Sequence, residues 1–116
     1  MRYLLAFYAD EKEWMALPAA ERDAAIAEIG RWFGEQSAAG KIVGGHRLAP
    51  RAKTKTVRHG RVRKKDLPSV IDGPFLETKE SVGSYAIVEV NDEAEAVTIA
   101  KTWPAGGAVE VRALAD

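Results

Sequence analysis

The sequence predicts an α+β fold in which two β-α-β units form a split βαβ sandwich with an added β-hairpin. Three observations predict it. Apolar runs at residues 3–8 and 85–90 are each followed by an amphipathic helical pattern. The basic segment between these units places polar residues on both faces, as a solvated hairpin does. A chain of 116 residues with 47% apolar residues suits a single core, so we expect one domain over residues 1–116.

The first unit begins with a strand at residues 3–8. Its apolar residues fall on both faces, which predicts a central strand covered on both sides. Pro18 suits the first position of a helix of about five turns that ends at Gly40. The strand predicted at residues 41–48 is weakened by its two glycines and therefore favours a sheet edge.

The middle of the chain has a different pattern. Residues 53–58 are polar at alternate positions on both faces, so they cannot form a core strand. We expect a turn at His59-Gly60 and a return through residues 61–63, which together make a solvated hairpin. Residues 71–75 include a Gly-Pro pair, which excludes helix and indicates a compact turn.

The second unit repeats the first. A strand at residues 85–90 is followed by Asn91, which we expect to cap the next helix. Pro104 ends that helix, and residues 109–113 form a last strand with alternating faces. The buried stripe of the helix is predicted from four residues at helical spacing: Ala96, Val97, Ala100 and Trp103.

The two units, joined under the right-handed crossover rule, predict the ferredoxin-like arrangement. The strands at residues 3–8 and 85–90 are then central, and the other two lie at the edges. One face of this sheet has no helix. Since an open apolar face is larger than a monomer normally tolerates, we expect a homodimer that closes it sheet to sheet.

Composition excludes several classes of function. The chain has no Cys, which excludes disulfides, thiol catalysis and Cys-ligated metals. His46 and His59 alone make a poor metal site, so we expect no metal and no cofactor. The longest apolar stretch, residues 3–9, is far shorter than the roughly 20 residues of a membrane helix. We therefore expect a cytoplasmic protein without a membrane segment.

Charge is unevenly distributed along a chain whose formal net charge is zero. Residues 41–65 carry ten basic residues and no acidic residue, whereas both flanking segments are acidic. This basic segment is compatible with binding nucleic acid or another anion. The equal acidic excess elsewhere favours neutralisation within the molecule, and no aromatic residue accompanies the charge, so we do not expect a nucleic-acid partner.

The densest group of candidate functional residues is the segment 72–80, which reads DGPFLETKE. Asp72 is a candidate general base or substrate anchor. Its alternative role is capping of the turn, because an Asp before Gly-Pro often accepts hydrogen bonds from the following amides. Glu77, Lys79 and Glu80 either orient a polar ligand or form surface ion pairs.

Further candidates lie outside that segment. Arg58 either holds a carboxylate with two hydrogen bonds or is one of many solvated charges. His46 is a candidate acid or base near neutral pH, and its alternative is an exposed edge-strand residue. The three tryptophans are expected to be core or dimer contacts rather than a cofactor site: Trp14, Trp32 and Trp103.

The segment DGPFLETKE resembles the signature of the YCII-related proteins of the DGPF branch. Similar residues extend over nearly the whole chain, including residues 3–14, 43–45, 48, 56–58 and 109–112. The resemblance implies a dimeric ferredoxin-like α/β barrel with a cleft near Asp72. Members of the family are described as enzymes or as proteins of unknown function, and some are encoded beside alternative sigma factors.

The YciI-type branch of the same family is associated with a His–Asp pair. The resemblance implies that Asp72 matches this Asp, whereas residues 14–22 contain no matching His. Two further departures are Ser84, where the branch commonly has Gly, and Ala113, where a Pro often follows the Arg.

Two functions of different class follow. The first is a cofactor-free enzyme acting on a small polar or aromatic acid, with Asp72 and His46 catalytic and with Arg58, Lys79 and Glu80 binding the substrate. The second is a dimeric ligand-binding or regulatory accessory protein, linked by the resemblance to an alternative sigma factor, whose cleft holds a ligand without converting it.

Overall fold

The computed structural model describes residues 1–60 and 68–115 as an α+β fold with two sheets. The main sheet has four antiparallel strands in the order β2 (Ile42–Arg47), β5 (Glu80–Glu89), β1 (Arg2–Asp10) and β6 (Ala108–Ala113). A separate two-stranded sheet pairs β3 (Lys55–Arg58) with β4 (Ser69–Asp72). No helix of this described part is both long and apolar enough to cross a membrane. The elements are β1 (Arg2–Asp10), α1 (Glu11–Ala16), α2 (Ala19–Ala38), β2 (Ile42–Arg47), a 3₁₀ turn (Arg51–Lys53), β3 (Lys55–Arg58), β4 (Ser69–Asp72), β5 (Glu80–Glu89), α3 (Glu93–Lys101) and β6 (Ala108–Ala113).

The strand order confirms which strands are central. β1 lies between β5 and β6, and β5 lies between β1 and β2, so the two most apolar strands occupy the middle. The glycine-containing β2 and the alternating β6 are the edges. Gly45 is needed for this pairing, because its φ is +141° and a Cβ there would lie 2.5 Å from the Tyr85 carbonyl oxygen.

The core lies between one face of the main sheet and helices α2 and α3. Leu5 and Val88 are completely buried and belong to a cluster that includes Trp32 of α2 and Ile99 of α3. Phe7 stacks on Trp103 with ring centroids 3.8 Å apart, and Trp32 meets both rings edge-on. The Trp32 indole N–H donates to the Thr102 hydroxyl at 2.8 Å, so the buried polar group has a partner.

The opposite face of the main sheet carries the alternate residues of β1 and β5. Leu4 lies across from Ile87, and both are only half-buried, as are Tyr8 and Tyr85. Because strand residues alternate in direction, these side chains point away from the face on which α2 and α3 pack. The described chain thus leaves an apolar sheet face open.

Several element boundaries differ from the sequence predictions. Helix α1 was not predicted, and β5 begins at Glu80 rather than at residue 85. Asp92, not Asn91, caps α3 by accepting a hydrogen bond from the Glu95 amide at 2.9 Å. In the buried stripe of α3, Ile99 takes the place expected for Val97, which is 37% exposed.

The hairpin also pairs differently from the prediction. β3 pairs with β4, with Arg58 opposite Ser69. The predicted return strand at residues 61–63 lies outside the described residues. Ile71 and Asp72, predicted in a compact turn, are strand residues, and the turn follows at Gly73, whose φ is +99°.

Candidate functional site

A cavity of about 190 Å³ lies at the end of the main sheet where β1 ends and β5 begins. We call it the apical cavity. Its apolar walls include Phe7, Trp14 and Trp103, and its polar lining includes Glu11, Arg47 and Ser84. A mostly apolar concavity with a few polar groups is the usual form of a small-molecule site.

Strand register brings three of these residues into one row. Ser84 of β5 pairs with Phe7 of β1 on one side and with Arg47 of β2 on the other. Directly beside this row the β1–β5 register shifts between Phe7 and Tyr8, which leaves Gly83 as the extra residue of a bulge. Such bulges redirect neighbouring side chains and often occur at functional sites.

Ser84 is a polar residue on the helix-covered face of a core strand. It is 4% exposed, although its strand neighbours on that face are Ala86 and Val88. Since Ser84 lines the apical cavity, a ligand bound there is within its reach.

Helix α1 forms one wall of the apical cavity. Asp10 caps it by accepting hydrogen bonds from the amides of Lys12 at 3.0 Å and Glu13 at 3.2 Å. Helical spacing then places Glu11 and Trp14, three residues apart, on the same side, and both line the cavity. This short helix therefore supplies one wall of the apical cavity.

The charged groups of the apical cavity are few. Among the described residues no carboxylate lies within ion-pair distance of the Arg47 guanidinium. Glu11 uses one carboxylate oxygen to accept a hydrogen bond from the Arg51 amide at 3.1 Å. Hydrogen bonding to Glu110, partial burial and the negative charge of that carboxylate raise the pKa of Tyr8, whose side chain points to the open face of the main sheet.

A second, more open hollow of about 300 Å³ lies beside α1. The Arg51 guanidinium donates to the Thr78 carbonyl oxygen at 2.5 Å across it. Its lining mixes both signs of charge: Asp10, Lys12, Arg51, Glu77, Thr78 and Lys79. The hollow has none of the aromatic walls that line the apical cavity.

Asp72 lies on β4, directly opposite Lys55 of β3, and the two side chains form an ion pair. The carboxylate is 85% exposed and lines neither the apical cavity nor the second hollow. In the turn-capping alternative, Asp72 accepts hydrogen bonds from the amides that follow it. The first of these amides, that of Gly73, donates instead to the Thr54 carbonyl oxygen at 2.6 Å. Within one described chain, Asp72 is a surface residue of the two-stranded sheet.

Comparisons with known proteins identify the family. The model of the YCII-related domain matches residues 1–116. The chain belongs to the YCII-related family. It is also 29% identical, over 119 aligned residues, to an uncharacterized protein of Rhizobium meliloti (strain 1021), covering 99% of this chain and 93% of that protein. The family assignment extends over the cavity and the two-stranded sheet alike.

The other candidate site residues of this YCII-related chain are spread over both sheets. His46 lies in β2 opposite Tyr85, and its Nδ1 donates to the Arg47 carbonyl oxygen at 2.5 Å. Arg58 lies at the far end of β3 from Asp72, with its guanidinium carbon 5.2 Å from the centre of the Phe75 ring. The structure of one chain therefore does not bring Asp72 and His46 together on one sheet.

Lys79 and Glu80 lie near the start of β5. Lys79 lines the second hollow, and Glu80 pairs across the strands with Asp10 at the end of β1. Both side chains are exposed. Of the residues predicted from the YCII-related signature, Lys79 and Glu77 are thus the ones that meet a described concavity.

Sequence reasoning named Trp14, Trp103 and Ser84 but missed the apical cavity that they line, although two signals were present. The alternation of Val88 and Ala86, continued backwards, places Ser84 on the buried face. Asp10, followed three residues later by Glu13, is a helix-start pattern that predicts α1 and hence Trp14. Arg47 was one basic residue among ten, and nothing in its sequence context distinguished it.

Proposed function

We propose that this YCII-related protein binds a small amphipathic molecule in the apical cavity. The observation that carries the proposal is the combination of aromatic walls with the exposed Arg47, whose guanidinium has no described carboxylate partner, and with the hydroxyl of the nearly buried Ser84. A ligand with an apolar body and a polar end satisfies all three features at once.

We further propose that the functional unit is a homodimer with the fold of a ferredoxin-like dimeric α/β barrel. The strand order β2-β5-β1-β6, with helices linking β1 to β2 and β5 to β6, supports the ferredoxin-like assignment. The half-buried apolar face of β1 and β5 supports sheet-to-sheet closure, because a second copy offers the same apolar surface. A cytoplasmic location fits a chain without cysteine.

The two-stranded sheet provides a second reason to expect a partner subunit. Residues 51–60 and 68–79, which we call the arm, hold five exposed apolar side chains: Val57, Val70, Ile71, Phe75 and Leu76. The Cα radius of gyration is 16.5 Å, above the about 13 Å typical of a compact chain of this size. Docking of the arm on a second copy would cover these side chains.

Catalysis is the second candidate function, and the arm is the observation that favours it. An extended arm can carry Asp72 to a concavity of the partner subunit, where a carboxylate serves as a general base. In this proposal Asp72 and His46 are the catalytic residues, and Arg58, Lys79 and Glu80 are substrate-binding residues. The alternative is a non-catalytic accessory protein that uses the same ligand.

The binding proposal is tested by screening small amphipathic molecules for thermal stabilisation of the full chain. We expect stabilising ligands, and we expect Asp72→Asn to keep their affinity within about twofold, because Asp72 lies outside the apical cavity. Absence of any stabilising molecule would contradict the proposal.

The same ligands then separate the catalytic candidate from the accessory candidate. Product formation that is lost in Asp72→Asn, with binding retained, supports the enzyme. Binding by both proteins with no conversion by the wild type supports the accessory role. Lys55→Met is the matched control, since it removes the partner of Asp72 in the ion pair but keeps the carboxylate.

A further inference from the structure

We propose that the ligand of the apical cavity is a compact aromatic monocarboxylate whose carboxylate binds Arg47 and whose ring lies between Trp14 and Trp103. This inference rests on the proposed binding function and specifies the chemical class of the ligand. Three features of the cavity carry it: its size, its walls and its charges.

Size limits the ligand to about one ring. The cavity measures about 190 Å³. An apolar protein cavity of roughly 150 Å³ binds benzene, whereas sites for drug-sized ligands start near 300 Å³. The space in the apical cavity therefore suits one six-membered ring with one small substituent; because the cavity opens to solvent, a larger ligand would extend beyond it.

The walls favour an aromatic ring. Trp103 is held in place by stacking on Phe7 at 3.8 Å and by an edge contact with Trp32 at 5.2 Å. Trp32 is itself fixed through its hydrogen bond to Thr102. Trp14 of α1 lines the same cavity from another element. Rigid aromatic walls bind a flat ring through stacked and edge contacts without losing side-chain entropy.

The charges favour a single negative group. Arg47 presents a planar guanidinium, which binds a carboxylate with two parallel hydrogen bonds, and Ser84 in the adjacent strand adds a hydroxyl donor. Glu11 lines the same cavity, and its carboxylate is held by the Arg51 amide. A second negative charge on the ligand would be repelled by Glu11, so the inference is a monocarboxylate.

The experiment compares charged and neutral ligands of one shape on the full-length protein. Benzoate, benzamide, benzylamine and phthalate are titrated by calorimetry at low salt. We expect benzoate to bind at least about tenfold more tightly than benzamide, since a charge-assisted pair is roughly twice as strong as a neutral hydrogen bond. Benzylamine and phthalate are expected to bind more weakly than benzoate.

Two variants assign the contacts. Arg47→Gln should remove the preference for benzoate over benzamide, whereas Arg31→Gln, on an exposed position of α2, should retain it. Trp14→Leu should weaken benzoate and benzamide by the same factor, because it removes a ring wall and no charge. Circular dichroism and the unfolding midpoint check that each variant is folded.

Several results would overturn the inference while leaving the binding function intact. These are equal affinity for benzoate and benzamide, tighter binding of benzylamine or phthalate, and a preference for benzoate that survives Arg47→Gln. Failure of all four probes, with other small molecules still stabilising the protein, would also overturn it. If no molecule of any class stabilises the protein, the proposed function itself fails.

Discussion

At the scale of single residues, Glu95 links the start of α3 to the chain before β2. Its carboxylate forms an ion pair with Lys41 and accepts a hydrogen bond from the Asn91 amide at 2.8 Å. The hydrogen bond from Lys41 is the main reason that the pKa of Glu95 lies below its ordinary value, and the Asn91 amide lowers it further. The ionised form is therefore favoured by folding.

This predicts a pH dependence that Glu95→Gln removes. A lowered pKa in the folded state stabilises the protein above the ordinary value of 4.5, and the stabilisation disappears as the pH falls through the folded-state pKa. We expect Glu95→Gln to be less stable than the wild type at neutral pH, with the difference narrowing as the pH falls below 4.5.

Urea unfolding at a series of pH values measures this difference. Glu93→Gln is the matched control, because Glu93 lies in the same first turn of α3 without an ion pair among the described residues. A difference between wild type and Glu95→Gln that stays constant with pH would contradict the assignment.

At the scale of elements, α1 is a six-residue helix that depends on its cap. Isolated helices of this length do not form in water, so α1 depends on contacts such as the Asp10 cap and the hydrogen bond that the Arg22 guanidinium donates to the Met15 carbonyl oxygen. This matters for the apical cavity, because Glu11 and Trp14 lie on that helix. Loss of the Asp10 cap would therefore disturb the ligand site, although Asp10 itself does not line the apical cavity.

We expect Asp10→Ala to lower the free energy of local opening of α1 by about 1 kcal/mol, since it removes a side-chain acceptor from two amides. Hydrogen exchange of the α1 amides measures the effect. Asp10→Ser, which keeps a capping oxygen, should restore most of the protection. Equal exchange rates in the Ala and Ser variants would show that the cap does not hold the helix.

At the scale of the whole molecule, two surfaces point to a second copy. They are the open face of β1 and β5 and the apolar side chains of the arm. The ion pairs Lys41–Glu95 and Lys55–Asp72 also join the basic middle of the chain to acidic residues of the second half. This agrees with the prediction that part of the basic charge is neutralised within the molecule.

The dimer proposal predicts that Ile87→Glu weakens self-association at least about 100-fold, because an unpaired carboxylate buried between two sheets costs several kcal/mol. Sedimentation equilibrium over a range of concentrations measures it. Val97→Glu, on a partly exposed position of α3, should leave the dimer intact. A wild-type chain that sediments as a monomer at all concentrations, or an Ile87→Glu variant that dimerises normally, would contradict the proposal.

The sequence by itself determined the elements whose residues repeat with a clear period. These patterns are local: they are the apolar alternation of β1 and β5 and the helical spacing of Ile29 and Trp32 in α2. Tertiary packing buries the same residues and so stabilises the same elements. The central and edge positions of the strands followed from their apolar content. The family followed from a motif at residues 72–80 that is also local.

Only the tertiary structure decided which side chains share a cavity. Phe7, Arg47 and Ser84 are far apart in the chain and meet because three strands pair in one register with a bulge beside them. The partner of β3 was likewise set by long-range pairing, which places Arg58 opposite Ser69. Local periodicity does not determine the register between distant strands. The sequence therefore identified Asp72 through its signature, but it could not predict that Phe7, Ser84 and Arg47 lie in one row.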